Sequence, residues 1–190
     1  TARALDLAER YFGEIPRGPV PPPVTAGIPL TAEQLLLLED RVELPRLYLS
    51  WHSPAMFHAG DADLDLGADV LAHGKTSRLY QRLVYERRVA ADVSAYQHSR
   101  ELSGVFQVAT TAAAGVSLPV LEEAITEALH EMAASGPTAD ELARAQAQTE
   151  AQFVYRLQTV GGFGGKSDQL NAYNVFRKDP GYFDQDLERY

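Results

Sequence analysis

The 190 residues carry 17 Lys+Arg against 26 Asp+Glu, a formal net charge of −9, with 45% hydrophobic and 23% charged residues and no cysteine. These proportions suit a folded globular chain long enough for a hydrophobic core and exclude a disordered or collagen-like one. No apolar run approaches the roughly 20 residues that span a bilayer. The acidic balance argues against nucleic acid as a partner, and zero Cys removes disulfides, thiol nucleophiles and Cys-ligated zinc. The chain begins at Thr1 rather than Met, which leads one to expect a piece of something longer.

Residues 1–15 read as a short amphipathic helix, with Leu5, Ala8 and Phe12 at helical steps and Gly13 and Pro16 at its end. Five of the eleven prolines and two glycines fall in residues 16–27, a density that predicts an extended linker. Two strand-like runs follow: Val42 and Leu44, then Leu47, Leu49 and Trp51. Pro45 lies between them and cannot donate to a ladder, so a central strand is expected to start only after it. From Asp61 to Arg88 the period becomes helical, with a break at Gly74 and Thr76 or Ser77 as the expected cap of the second helix.

Alternation at Ala91, Val93 and Ala95, and again at Phe106, Val108 and Thr110, predicts two strands over 89–97 and 105–111 joined as an antiparallel hairpin. Leu118, Leu121, Ile125, Leu129 and Met132 mark an amphipathic helix closed by Ser135-Gly136-Pro137. Thr138 and Glu141 form a capping-box pattern that opens a long helix to about Leu157. After Gly161-Gly162-Phe163-Gly164-Gly165 a further helix is expected near 167–176, and Asp179-Pro180 begins a last segment. Strands, a hairpin and then paired helices indicate α+β.

The chemistry-bearing residues do not assemble into a site on paper. His130-Glu131 begins like a helical zinc motif, but no second histidine follows at the required spacing, so an exposed helix turn is the simpler reading. His52 and His58 flank Pro54, and with Asp61 they define the one conceivable metal-binding module, although the histidine pair lacks a convergent third ligand. Asp61, Asp63 and Asp65 resemble the start of a calcium loop, but Leu66 and Ala72 occupy the positions that need Gly and Glu. Carboxylates at a helix N-terminus account for them. Val160 stands where the first glycine of a phosphate loop would be, so the glycine run before Lys166-Ser167 reads as a hinge or close-packed turn. Residue chemistry therefore names no catalytic residue and no metal ligand, and leaves substrate-contacting residues undefined.

A succession of motifs goes further. Tyr11-Phe12-Gly13-Glu14-Ile15-Pro16, the proline linker, Leu47-Tyr48-Leu49-Ser50-Trp51, Gly74-Lys75-Thr76-Ser77-Arg78-Leu79-Tyr80 running on to Glu86, Val89 to Tyr96, Gly136 to Leu142 and Val160 to Gly165 follow one another in order. Together they resemble the second domain of a pitrilysin/insulinase-family zinc peptidase, an inverted zincin, over nearly the whole chain. The resemblance implies an α+β domain with a mainly antiparallel sheet and helices packed on one face. It also implies a parent metalloendopeptidase whose two halves close like a clam shell around unfolded peptide. Zinc is expected in the parent, bound outside this fragment by an H-x-x-E-H helix that the sequence lacks.

The second half of such peptidases presents an Arg and a Tyr to substrate, and in gapless register those positions are Val84 and Ala91, which favours the second domain of the catalytic half. Residues 1–15 are then expected to be the closing helix of the preceding catalytic domain and 16–27 the linker. Residues 28–190 would be a non-catalytic domain cut short at its C-terminus. The expected partners are the other domains of the same peptidase or a partner half-subunit, and peptide substrate, with no nucleic acid and no membrane span. The rival is a scaffold or assembly domain of a family member that has lost zinc. Relatives occur in bacterial cytoplasm and cell envelopes, so the compartment stays open.

Overall fold

The structure is a computed structural model and describes residues 1–24 and 30–190. Helix α1 spans Ala2–Phe12 and none of its residues is buried. Residues 16–24 run exposed without regular structure, as their prolines require, and residues 25–27 of the expected linker lie outside the described residues.

Strand β1 spans Arg46–Ser53, β2 Ala90–Ser99 and β3 Gly104–Ala112, and they form an antiparallel sheet in the order β1-β3-β2. Strand β1 does begin at the residue after Pro45, whose carbonyl accepts the Ala112 N–H at 2.9 Å. Val42 and Leu44 form no strand. The Val42 N–H turns back to the Asp40 carbonyl at 3.0 Å, and Val42 stays exposed with no strand beside it among the described residues. The hairpin closes at the Ser99–Gly104 pair, with the Arg100 N–H donating to the Ser103 carbonyl at 3.0 Å.

The sequence alternation places Ala91 in step with Val93 and Ala95, whereas the register shifts between Ala90 and Asp92 and leaves Ala91 as an exposed bulged residue. The extra residue reverses the facing order, so Ala90 is the one buried. A bulge inserts one residue without changing local hydrophobicity, so period-2 counting passes over it.

Helices cover one face. Helix α2 (Asp61–Ala72), a π-helical segment (Tyr80–Glu86) and α3 (Leu118–Ser135) pack on the sheet, and α4 (Ala139–Arg156) packs on α2. Leu79, Leu83, Phe106, Val108, Leu121 and Ile125 meet in the main core. The inward residues of α3 are those its period predicts. The helix stops at Gly136, whose φ of +68° suits glycine, ahead of Pro137. A smaller cluster of Leu66, Val70 and Ala145 joins α2 to α4.

Neither Thr76 nor Ser77 caps the segment that follows Gly74. The buried Ser77 hydroxyl donates backwards to the Gly74 carbonyl at 2.7 Å, tightening the turn. The glycine run leads into α5 (Lys166–Ala172), which continues as a π-helical turn (Tyr173–Arg177), and α6 (Phe183–Leu187) follows. The domain is α+β, as the sequence pattern indicates, and its antiparallel sheet is backed by helices on one face, as the resemblance implies.

Candidate functional surface

Because side chains alternate along a strand, the helix-packed sheet must present its second set of residues on the opposite face. Tyr48, Ser50 and His52 of β1 and Ser94, Tyr96 and His98 of β2 form that exposed set, aligned through Ala109, Gln107 and Val105 of β3. The central row is a polar ladder: the Tyr96 hydroxyl donates to Gln107 Oε1, and Gln107 Nε2 donates to Ser50 Oγ at 2.8 Å. On one side of the ladder His52 and His98 flank Val105, and on the other Tyr48 lies beneath the Arg46 guanidinium, 5.3 Å from the ring centroid. Aromatic planes with polar tips arranged over a sheet suit broad contact with a chain more than enclosure of a small molecule.

The other flagged residues do not converge. Among the described residues no group of three His, Asp or Glu side chains is placed to hold a metal ion. His58 Nδ1 lies 3.2 Å from the Met56 carbonyl, His73 pairs with Asp69 at 3.4 Å at the end of α2, and His130 is exposed on α3. Glu131 accepts from Arg82 at 2.7 Å, which makes His130-Glu131 an ordinary helix turn tied to its neighbour. Val84 packs against the core and Ala91 occupies the bulge, so neither position offers a polar side chain. The donor set of the described residues does not fit a catalytic zinc.

The acidic run at 61–65 is where sequence reasoning fell short. Asp61 and Asp63 do occupy the first turn of α2, but Asp61 turns inward and is 3% exposed. Its Oδ2 accepts the Phe57 N–H at 2.9 Å and Arg189 Nη2 at 3.0 Å. The first bond holds Phe57 in the left-handed region at φ +64°, a costly place for an aromatic residue. The ring repays it against Tyr173, Tyr182 and the Arg189 guanidinium.

Beside this pair, the buried Tyr173 hydroxyl donates to Asp186 Oδ2 at 2.7 Å and accepts from Gln169. Burial pushes both Tyr173 and Asp186 above their ordinary values. One turn along α2, the Tyr190 hydroxyl donates to Asp65 Oδ2 at 2.7 Å. The contacts of Asp61 with Arg189 and of Asp65 with Tyr190 bridge 128 and 125 residues, so no local spacing could announce them. Their chemistry is that of a latch between α2 and the last segment.

Burial, with smaller contributions from the Asp61 and Asp69 carboxylates, pushes Asp65 up to about 6 against the opposing Tyr190 hydrogen bond. A carboxyl raised on folding stabilises the protein while it is protonated, and that contribution disappears as pH rises from about 4 to about 6. Asp65→Asn keeps an acceptor for Tyr190 without the charge. It is expected to raise stability at pH 7 by about 1–2 kcal/mol, after allowance for partial solvation, and to flatten the slope between pH 4 and 6 in urea titrations. An unchanged slope would remove Asp65 as its source.

A helix-backed antiparallel sheet with an open, aromatic-polar face, and no metal-holding group of His, Asp and Glu among the described residues, defines the class: an α+β domain. The sequence family described as Peptidase M16 inactive domain matches residues 1–149, and the chain belongs to that family. No curated protein matches the sequence. The fold is similar to a protease from Helicobacter pylori at a TM-score of 0.79 and 20% identity, covering 100% of this chain and 46% of that one. It is similar also to an inactive peptidase domain from Bordetella parapertussis, TM-score 0.64 and 20% identity, covering 81% of each chain. The periplasmic protease PqqL from Escherichia coli has a TM-score of 0.62 and 17% identity, over 99% of this chain and 21% of that one. The chain thus spans about half the length of the Helicobacter protease.

Proposed function

We propose that the chain is the non-catalytic domain of a zinc-dependent metalloendopeptidase, and that its open sheet face forms part of the wall of a chamber holding extended peptide. The observation that carries this reading is the exposed row of Tyr48, Ser50, His52, Tyr96 and His98 on a sheet whose other face is sealed by helices. A peptide lying on it meets aromatic planes, a hydroxyl and imidazoles, contacts that tolerate many side chains. Zinc and the water it activates belong to another domain of the parent, since the side chains of this one do not fit the metal. In this reading residues 1–15 close the preceding catalytic domain, residues 16–27 link the two, and residues 28–190 form the wall.

A wall residue affects substrate binding more than the chemical step. Tyr48→Ala combined with Tyr96→Ala in the intact protease is expected to raise KM for an unfolded peptide about 3- to 10-fold with kcat nearly unchanged, while residues 1–190 alone hydrolyse nothing. Chelator-sensitive hydrolysis by residues 1–190, or an unaltered KM in the double variant, would refute the assignment. An intact protein lacking H-x-x-E-H and activity would favour the scaffold instead.

A further inference from the structure

Residues 35–38 are four consecutive leucines, and they are 88%, 78%, 71% and 78% exposed. Among the described residues, no backbone group of residues 33–39 takes part in a hydrogen bond, although the segment lies only a short bend ahead of β1. Four apolar residues in succession point to both faces of an extended chain, which is the pattern of a strand covered on both sides. A solvated, unpaired strand of this composition would be a site of aggregation. The leucines are therefore a surface made to be covered.

We propose that residues 33–40 form a further sheet strand of this domain and pair with an apolar strand supplied by the parent protease from outside residues 1–190. Two observations choose that occupant. The Helicobacter protease fold contains the equivalent of all of this chain and has more than half of its own length besides, so such relatives have chain to supply. The leucines are also bracketed by Glu33 on one side and Glu39-Asp40 on the other. Antiparallel pairing of two copies about the centre of the run sets Glu33 against Asp40 and Gln34 against Glu39. That juxtaposition brings like charges together and disfavours a second copy of the chain. The complementary strand is apolar at its centre and carries Lys or Arg at its flanks.

This inference rests on the chain being part of a larger protease, and its test is independent of the sheet-face reading. Hydrogen exchange followed by mass spectrometry is run on the intact protease, with residues 1–190 alongside. Amides 35–38 are expected to exchange within seconds in the short chain and ~100-fold more slowly in the resting intact protease, whatever the protein concentration. Because the chain has no cysteine, Leu37→Cys gives a unique attachment point within it for a photo-crosslinker. The crosslinked peptide is expected to come from outside residues 1–190 and to be apolar with basic flanks.

Fast exchange in the intact protease overturns the proposal. Protection that vanishes on dilution, or a crosslink to residues 1–190 of another molecule, assigns the surface to a second copy and overturns it as well. Protection that appears only on adding an unfolded peptide assigns the strand to substrate, with the same consequence. A wild-type KM for the tyrosine double variant would refute the chamber wall and leave the strand pairing standing.

Discussion

Arg189→Ala is expected to lower the unfolding free energy by about 3–5 kcal/mol, because it strands a buried carboxylate. Asp61 is 3% exposed, and among the described residues Arg189 is its only cationic partner, at 3.0 Å. With the guanidinium gone, Asp61 keeps the Phe57 N–H at 2.9 Å and a long approach from Gln97 Nε2 at 3.5 Å, which together do not neutralise a desolvated charge. The substitution also uncovers the Phe57 ring, 5.1 Å from the guanidinium carbon, and removes the contact with Asp186.

A control separates charge from packing. Adding Asp61→Asn to Arg189→Ala removes the stranded charge, so the double variant is expected to recover more than half of the loss in urea unfolding. A loss below about 1 kcal/mol for Arg189→Ala would show that the latch carries no stability of its own.

The second large effect belongs to Arg78. Its Nε and Nη2 donate to the two carboxylate oxygens of Glu141 at 2.7 and 2.6 Å, and Nη2 also reaches the Gly136 carbonyl at 2.9 Å. Glu141 is at the same time the third residue of α4 and accepts the Thr138 N–H at 2.7 Å, while the Thr138 hydroxyl accepts the Glu141 N–H at 3.2 Å. One carboxylate thus completes a capping box and pins the end of α3 and the start of α4 to the turn that carries Arg78. Both side chains are 18% exposed, so the pair is screened less than a surface bridge. Arg78→Ala and Glu141→Ala are each expected to cost about 2–3 kcal/mol. Arg78→Lys recovers little, since an ammonium cannot form the two-pronged contact.

The pair also contributes to the acid dependence of stability. The Arg78 guanidinium, helped by the Thr138 donors, holds Glu141 down to about 2. A carboxyl depressed on folding contributes stability that is complete above its unfolded value near 4.5 and is lost as pH falls toward 2. Unfolding titrations should therefore show an acid slope that Arg78→Ala reduces, the Thr138 donors remaining in place. An unaltered acid slope in that variant would place its origin elsewhere. Asp65 acts in the opposite direction, losing its contribution as pH rises through about 6, so the combined contribution of these two carboxyls is greatest near pH 4–5.

How far the sequence could be read depended on the range of the interaction. The box at Thr138 and Glu141 spans three residues and was visible as spacing, as were the stripe from Leu118 to Met132 and the stop at Pro45. The Ser77 cap failed because a hydroxyl near a helix start has two local acceptor and donor choices, and the tight turn at Gly74 offered the nearer one. The bulge at Ala91 failed because an inserted residue looks like any other small residue until its partner strand is in place. The open face was half legible: alternation marks which residues share a side, but only the packing of α2 and α3 decides which side is left bare.

Composition, period and motif order by themselves determined that this is an α+β domain, that it resembles the pitrilysin/insulinase peptidases, and that it brings no zinc motif of its own. Those properties are local or additive along the chain, and they survive in one dimension. The tertiary structure alone decided that Asp61 and Asp65 turn inward to Arg189 and Tyr190, that Arg78 grips the cap of α4, and that Tyr96, Gln107 and Ser50 form a polar ladder beside Tyr48. Each of those contacts joins residues 11 to 128 positions apart. Chain folding sets such distances, and a carboxylate at a helix start reads the same in sequence whether water or a buried guanidinium receives it.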